Sequence, residues 1–509
     1  MAAVPRSPLP TELLHIITSL VTHQDLPAVA LANKLCNEIC TPLLYRTIHL
    51  YDYSTARQCV RTLASDPSAL SFRRDLACLV REFFLHSSCH SAEPFARDPV
   101  FDALLVRSAA SMSNVQVLEC TEPRECSLLV LLALLANGHR ALRSIETSLL
   151  WSSTSPTEDP HERAFHQLAS RRSAMPRLTL LKVHVPIELS PSMATVLHNM
   201  ITSSSDTMRT LSITTHHNAV LQAIIPPLSM WHALRKLEVY ADALRISGFG
   251  YLSQVKSLSI IDSISLPRDG FLVPPTHWPV LEELGCSLGL VPSFLPPQAE
   301  APRPIHTIRL SYATYEHNGG WYDPDFTPSW RESLYALTYA QHSAVPLKHF
   351  NFQVEKLNIR RFELFLPYLR DVETIVIVIV DCPTPDLVHE LGAKIIARLP
   401  RLHTLLLCDI SYKEYGSNKA FKFARDVALQ RAWLAEYARH SSVLRHVAFT
   451  TEFEWVKGAD GAWYPTELPK DKPIDVDPEV DYEDSMASWE DEVESELEAL
   501  EELDGDGDD

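Results

Sequence analysis

The sequence predicts an α/β protein: a small N-terminal helical domain, an irregular solenoid on a parallel sheet, and a mostly disordered acidic tail. Three observations predict it. Apolar residues near the start recur at the 3–4 residue spacing of a helical face. A pattern of the form apolar-x-x-apolar-x-apolar then recurs from Val80 to Phe449. Beyond Trp463 the composition turns abruptly to Pro, Asp and Glu, the profile of disorder. These divide the chain into a flexible N-terminus (1–8), a helical domain (9–50), a helical linker (51–74), the solenoid (75–455) and the tail (456–509).

In the first domain Leu13, Leu14, Ile16, Ile17, Leu20 and Val21 share one helical face. A second helix is expected from Asp25, a residue type that caps helix N-termini, and Pro27 is tolerable in its first turn. It carries Leu26, Val29, Ala30, Leu31, Leu35 and Ile39 and should stop before Pro42. So short a segment cannot bury this much apolar surface internally, so part of it is expected to face a partner.

These residues resemble the F-box family. The opening Leu-Pro-x-Glu-Leu-Leu is met by Leu9, Pro10, Glu12, Leu13 and Leu14; an Asp-Leu pair follows at Asp25 and Leu26; the close is Leu44, Tyr45 and Arg46. The ending CTPLLYRTIHL is similar to the fungal form. One departure is the missing large aromatic late in the second helix, where the chain reads Asn33-Lys34-Leu35-Cys36. The resemblance implies docking on the Skp adaptor of a cullin-type ubiquitin ligase through Leu9, Pro10, Leu13, Leu14, Ile17 and Leu26, some of which must instead hold the small domain together. The other reading is a plain helical hairpin capping the next domain.

The linker is helical in pattern, with Ala56, Val60, Leu63 and Ala64 before a break at Ser65-Asp66-Pro67. The repeated motif follows, with copies such as Val80-Phe83-Leu85, Val115-Leu118-Cys120, Met208-Leu211-Ile213 and Val372-Ile375-Ile377, and a weaker one at Leu142-Ile145-Thr147. With 46% apolar residues, three fixed apolar positions coincide by chance at roughly a tenth of sites, so context decides. Copies lie 21 to 42 residues apart, and Arg or Lys follows the first apolar position in seven: Arg81, Arg143, Arg209, Arg235, Lys256, Lys348 and Arg445. As strands, these copies bury their second and third apolar positions on one face. Polar residues alternate onto the other: Thr210, Ser212 and Thr214; Lys236, Glu238 and Tyr240; Ser257 and Ser259; Thr307, Arg309 and Ser311; His349, Asn351 and Gln353. The stretch Val372–Val380, apolar at every position from Ile375 on, is expected to be covered on both faces.

The copies resemble irregular leucine-rich repeats. That family's Asn, three positions past the last Leu, is missing here, with Pro186, His216, Asp242 and Ser263 among the equivalents, so the turns should be looser. The other reading is an ordinary α/β domain with a parallel sheet. Two insertions interrupt the repeats: a Ser/Thr/Pro-rich loop from Trp151 to Glu162, and Tyr312–Trp330, rich in aromatics, which either presents a binding surface or folds back and buries its rings. A late helix is expected over Ala420–Arg439, with Phe423, Val427, Ala428, Arg431, Leu434 and Ala435 on related faces.

The formal charge of −19 is concentrated at one end. Residues 471–509 hold 19 acidic residues and one lysine, a net of −18; removing them from 45 basic and 64 acidic residues leaves 44 and 45, a net of −1. A near-neutral body gives no footprint for nucleic acid. Within the tail, Trp489, Val493, Leu497, Leu500 and Leu503 recur at 3–4 residue spacing after Ser488, a helix that would dock on a partner or back onto the body; the other reading is a solubilising acidic flag. Ser485 and Ser495 lie among acids, where phosphorylation is conceivable.

Ten scattered cysteines without a CxxC pair point to reduced thiols in the cytoplasm or nucleus, Cys36 and Cys40 being core residues rather than a zinc site. The longest apolar run, Leu128–Ala136, is nine residues, too short to span a bilayer, and no membrane partner is expected. No phosphate-binding, nucleophile-elbow or zinc-protease motif occurs, and with only 14 glycines phosphate-cradling loops are not expected. His216-His217 lacks a third ligand and the Asp323/Asp325 pair has no fixed geometry. No catalytic residue, metal or cofactor is therefore expected. The function expected is a non-catalytic adaptor, in which the F-box holds a Skp adaptor and through it a cullin, while the solenoid holds a protein substrate. The alternative is a ligase-independent repeat scaffold whose acidic tail binds basic proteins.

Overall fold

The computed structural model of the chain describes residues 10–466, apart from 23–24, 52, 65–74, 87–98, 121–124, 139, 149–159, 171–174, 186–188, 216–221, 226–230, 241–251, 262–272, 275, 298, 311–329, 355, 380–382, 410–425 and 450–452. Its frame is one 16-stranded open sheet whose spatial order follows the chain. The first strands are β1 (Thr47–Leu50), β2 (Glu82–Leu85), β3 (Val117–Cys120), β4 (Ser144–Ser148) and β5 (Leu180–His184). The middle ones are β6 (Thr210–Thr214), β7 (Lys236–Tyr240), β8 (Ser257–Ile261), β9 (Glu283–Cys286), β10 (Thr307–Leu310) and β11 (His349–Val354). The last are β12 (Thr374–Ile379), β13 (Thr404–Asp409), β14 (His446–Ala448), β15 (Trp455–Lys457) and β16 (Trp463–Pro465). Pairing is parallel from β1 to β14 and antiparallel through β15 and β16. Sequential parallel strands need crossovers, and helices supply most of those described, giving a solenoid-like α/β repeat fold.

Every copy of the motif becomes a strand, for a simple reason. Its second and third apolar positions point to one face of the pleat, and there Phe83, Leu85, Leu211, Ile213, Leu237 and Val239 are buried in one continuous core. The first apolar position, two residues before the strand, is buried too, as at Val80, Met208 and Val372. One copy escapes a reading of the sequence: Tyr45-Ile48-Leu50, which forms β1 inside the segment assigned to the helical domain. The sheet therefore starts at Thr47, and the linker helix α4 (Tyr53–Leu63) belongs to the first repeat, burying Ala56, Val60 and Leu63. At the other end the first residues assigned to the tail form β15 and β16, so the sheet runs to Pro465. Pro465 removes one backbone donor from the edge strand, a common device against further strand addition.

The N-terminal module has three helices, α1 (Thr11–Leu20), α2 (Leu26–Ala30) and α3 (Lys34–Leu44), the last two dividing the helix expected from Asp25. Asn33 causes the break, its side-chain oxygen accepting from the Cys36 N–H at 2.8 Å as the cap of α3. Asp25 does not cap; its carboxylate accepts from the Thr22 hydroxyl at 2.6 Å. Pro42 sits inside α3, in its last turns, where one lost hydrogen bond does not end the helix. This module has a core of its own, Leu26, Ala30 and Cys40, separate from the sheet's.

Among the later helices, α5 (Pro99–Ser111), α6 (Glu125–Ala136), α7 (Pro160–Ala169) and α8 (Pro191–Ser203) follow in the early repeats. The run Leu128–Ala136 lies in α6, which packs against α5, α7 and β4, and its residues Val130–Leu135 are buried. The helix Val427–His440 buries Gln430, Trp433, Leu434 and Tyr437, a face shifted from the one its small residues suggested. Phe423 lies outside the described residues. Tyr437 lies against Gly392 of the helix Pro385–Lys394, where an added Cβ would sit 2.5 Å from the ring. Its hydroxyl donates to the Val388 carbonyl. Gly392→Ala is therefore expected to destabilise the chain by about 1–3 kcal/mol through overpacking, read as a lower denaturation midpoint.

Arg303 is 2% exposed, and its guanidinium donates only to carbonyls: His277 at 3.1 Å, Phe294 at 2.5 Å, Val273 at 3.3 Å and Pro274 at 2.6 Å. It also lies 5.7 Å from the Phe294 ring centroid. Burial lowers its pKa to about 10, still well above neutrality. Trp330, the last residue of the aromatic insertion, is buried among Phe352, Phe362 and Phe365; residues 312–329, with Asp323 and Asp325, lie outside the described residues. Outside them too lie the loop residues 151–159, His216-His217, the positions Pro186, Asp242 and Ser263, and Ser485 with Ser495.

Candidate docking surfaces

Two surfaces are candidates for contact with other molecules. The first is the outer side of α1. Helix α1 starts after Pro10, carries Glu12 in its first turn where the helix dipole favours an anion, and buries only Thr18. The Thr18 hydroxyl donates to the Leu14 carbonyl at 2.8 Å, so even the inward residue satisfies itself locally. With Thr18 turned inward, the apolar stripe points out: Leu13 is 48% exposed, Ile16 56%, Ile17 48% and Leu20 80%. Leu31, just after α2, is 84% exposed. Amphipathic helices normally turn this stripe to their own core. Here the small core of Leu26, Ala30 and Cys40 leaves no room for it.

Of the residues singled out in the sequence, Pro10, Leu13 and Ile17 are exposed and Leu14 is half-buried. Leu9 lies outside the described residues. Leu26 is 4% exposed against Ala30 and Cys40, so it holds the module together and is corrected out of the contact set. Ile16, Leu20 and Leu31 were not singled out as contacts. The first two share the stripe's spacing, which was the available signal; the exposure of Leu31 depends on the break at Asn33.

The second surface is the open face of the sheet. Exact register aligns its side chains into rows across the strands. One row reads His49, Phe84, Glu119, Glu146, Lys182, Ser212, Glu238, Ser259, Gly285, Arg309, Asn351, Val376 and Leu406. The expected polar alternation is present, but in-register crowding buries several of its members: Ser212, Tyr240, Thr307 and Gln353 are under 10% exposed. Ser311 lies outside the described residues. The face changes character along its length. At the β1 end His49 stacks on Phe84 at 4.3 Å and Tyr51 on His86 at 5.0 Å. In the middle, carboxylates are held by neighbours. Glu146 meets Lys182 at 2.8 Å, Glu238 accepts from Ser212 at 2.8 Å, and Arg309 meets Glu283 at 3.2 Å. Burial alone would lower the Lys182 pKa, but the hydrogen bond and charge of Glu146 outweigh it and raise it. Such half-exposed pairs add little stability and serve to define the surface. At the far end Val376, Val378 and Leu406 are half-buried, so β12 is not covered on both faces as its composition suggested.

Among the described residues no group of three or more His, Cys, Asp or Glu is placed to hold a metal. Cys36, Cys40, Cys59, Cys78, Cys120, Cys286 and Cys408 are not disulfide-bonded, and Cys36 and Cys40 are buried. No described helix is long and apolar enough to cross a membrane.

No protein-family model matches the chain, and no curated protein matches it. Among solved structures it is similar to a chain in the crystal structure of the Rad7 and Elc1 complex in yeast, at 12% sequence identity, covering 87% of this chain and 90% of that one. The TM-score of 0.34 is too low for that likeness to carry any argument.

Proposed function

We propose that the chain is a non-catalytic substrate-recognition adaptor of a cullin-type ubiquitin ligase. In this reading α1–α3 form an F-box that docks a Skp adaptor, and the repeat sheet holds a protein substrate. One observation carries it: the residues that resemble the F-box opening form a helix whose apolar stripe faces outward. Fully burying a Leu or Ile contributes about 1.5–3 kcal/mol. Four such residues, 48–80% exposed, make a helix face with enough to gain from a partner groove.

The open sheet face supports the second half of the reading by its register: fixed rows of side chains at strand spacing present a patterned surface. Affinity capture of the tagged full chain, followed by mass spectrometry, tests the reading. A Skp adaptor and a cullin are expected with the wild type and absent with Ile17→Asp. Capture of neither by the wild type would remove the ligase reading and leave the repeat scaffold.

A further inference from the structure

The basic residue that follows the first apolar position of so many repeats has no role in the surfaces above. The structure brings these residues together. Each sits just before its strand, and the backbone ladder continues through it: Arg81 N–H to the Arg46 carbonyl at 2.8 Å, Gln116 to Arg81 at 2.7 Å, Arg143 to Gln116 at 2.8 Å, Arg209 to Thr179 at 2.8 Å and Arg235 to Arg209 at 2.9 Å. The ladder makes one rim along the starts of the strands. From β8 to β12 that rim is internally neutralised, Lys256 with Glu282 at 2.7 Å and Lys348 with Glu373 at 3.2 Å. Along β1–β7 it is not. Arg46, Arg81, Arg143, Arg209 and Arg235 pair with no carboxylate among the described residues, and the nearby Asp206 is taken by Arg177 at 4.0 Å. All but the half-buried Arg81 are exposed.

We propose that the acidic C-terminal segment of this same chain, residues 471–509, docks along this arginine rim. The charges are complementary, since a segment of net −18 follows a body of net −1 whose unpaired cations line up on one edge. The reach is sufficient. Strands lie about 4.8 Å apart, so Arg235 on β7 is about 43 Å along the sheet from β16, and Arg46 on β1 about 72 Å. The stretch 467–489 spans up to about 75–80 Å at 3.3–3.6 Å per residue, and like charges favour extension. That places residues 490–509, with 12 acidic groups, on the rim. Tethering gives the segment an effective concentration on the order of millimolar, an advantage no free acidic partner or nucleic acid has.

The test uses the full chain with p-benzoylphenylalanine in place of Gln116, which is exposed between Arg81 and Arg143 on the rim. Irradiation should give an intramolecular adduct to a peptide within 490–509. The adduct should be lost in 1 M salt, where the screening length is about 3 Å. It should also be lost in the Arg143→Glu/Arg209→Glu/Arg235→Glu chain. Replacing the acids of 490–509 by their amides, which leaves the body intact, should abolish it as well. No adduct in low salt, an adduct unchanged by either set of substitutions, or one joining isotopically light and heavy chains would overturn the proposal. So would binding of a DNA duplex to the unmodified full chain that Arg143→Glu/Arg209→Glu/Arg235→Glu removes.

Discussion

Arg303→Met should unfasten the segment around Val273–Leu295 while the rest of the sheet stays folded. Methionine keeps much of the apolar volume but supplies no donor. Four carbonyls then lose the guanidinium; that of Pro274 still accepts from the His277 N–H, but the bonds to Phe294 and Val273 are fully buried. An unsatisfied buried acceptor costs about 1–3 kcal/mol, so a loss on the order of 4 kcal/mol is expected. Replacing a buried ion by an apolar residue is often neutral when its partner is replaced too. Here the partners are backbone and cannot be. Arg303→Lys should recover less than half, because one ammonium cannot span four acceptors set around a planar fork. Repeat arrays unfold locally, so hydrogen exchange is the measurement. Protection should fall in peptides covering 273–295 and persist in β12–β14. Unchanged exchange there would show that the arginine is not the brace.

The second large effect concerns binding and should spare the fold. Leu13→Asp and Leu20→Asp each place a carboxylate on the exposed α1 stripe, at residues 48% and 80% exposed. Neither lies in the module's core, so thermal unfolding should move little, as surface substitutions usually do. Adaptor binding, in contrast, should be lost, because burying an unpaired carboxylate costs several kcal/mol. Leu26→Asp is the informative contrast: Leu26 is 4% exposed, so this change should unfold the module itself. Deleting residues 9–50 is a poor test, since it also strips β1 from the edge of the sheet.

What the sequence made legible follows from which physics acts locally. Strand positions were legible because each motif copy buries its own apolar pair, whatever the rest of the chain does. The copy at Tyr45-Ile48-Leu50 was hidden by its overlap with the F-box pattern, which claimed the same residues. β15 and β16 were hidden because short antiparallel strands leave a weak pattern beside an acidic segment. The apolar stripe of α1 was legible in spacing but not in direction: whether Leu13 or Thr18 faces inward depends on how α3 packs, and the Asn33 cap that positions α3 gives a weak signal. Arg303 was not legible at all. In the run Ala301-Pro302-Arg303-Pro304 nothing separates a buried arginine from an exposed one, because its partners are carbonyls about 9 to 30 residues away. The rim was half legible: all its cations but Arg46 stand out one by one in the repeats, but only the register shows them as one edge.

The central claim is that α1 presents a docking face for a Skp adaptor. Sedimentation velocity of the purified full chain mixed with a purified Skp adaptor tests it most directly. A single faster-moving species is expected with the wild type, and two separate species with Leu13→Asp. Two separate species with the wild type, or a complex that Leu13→Asp leaves intact, would contradict it.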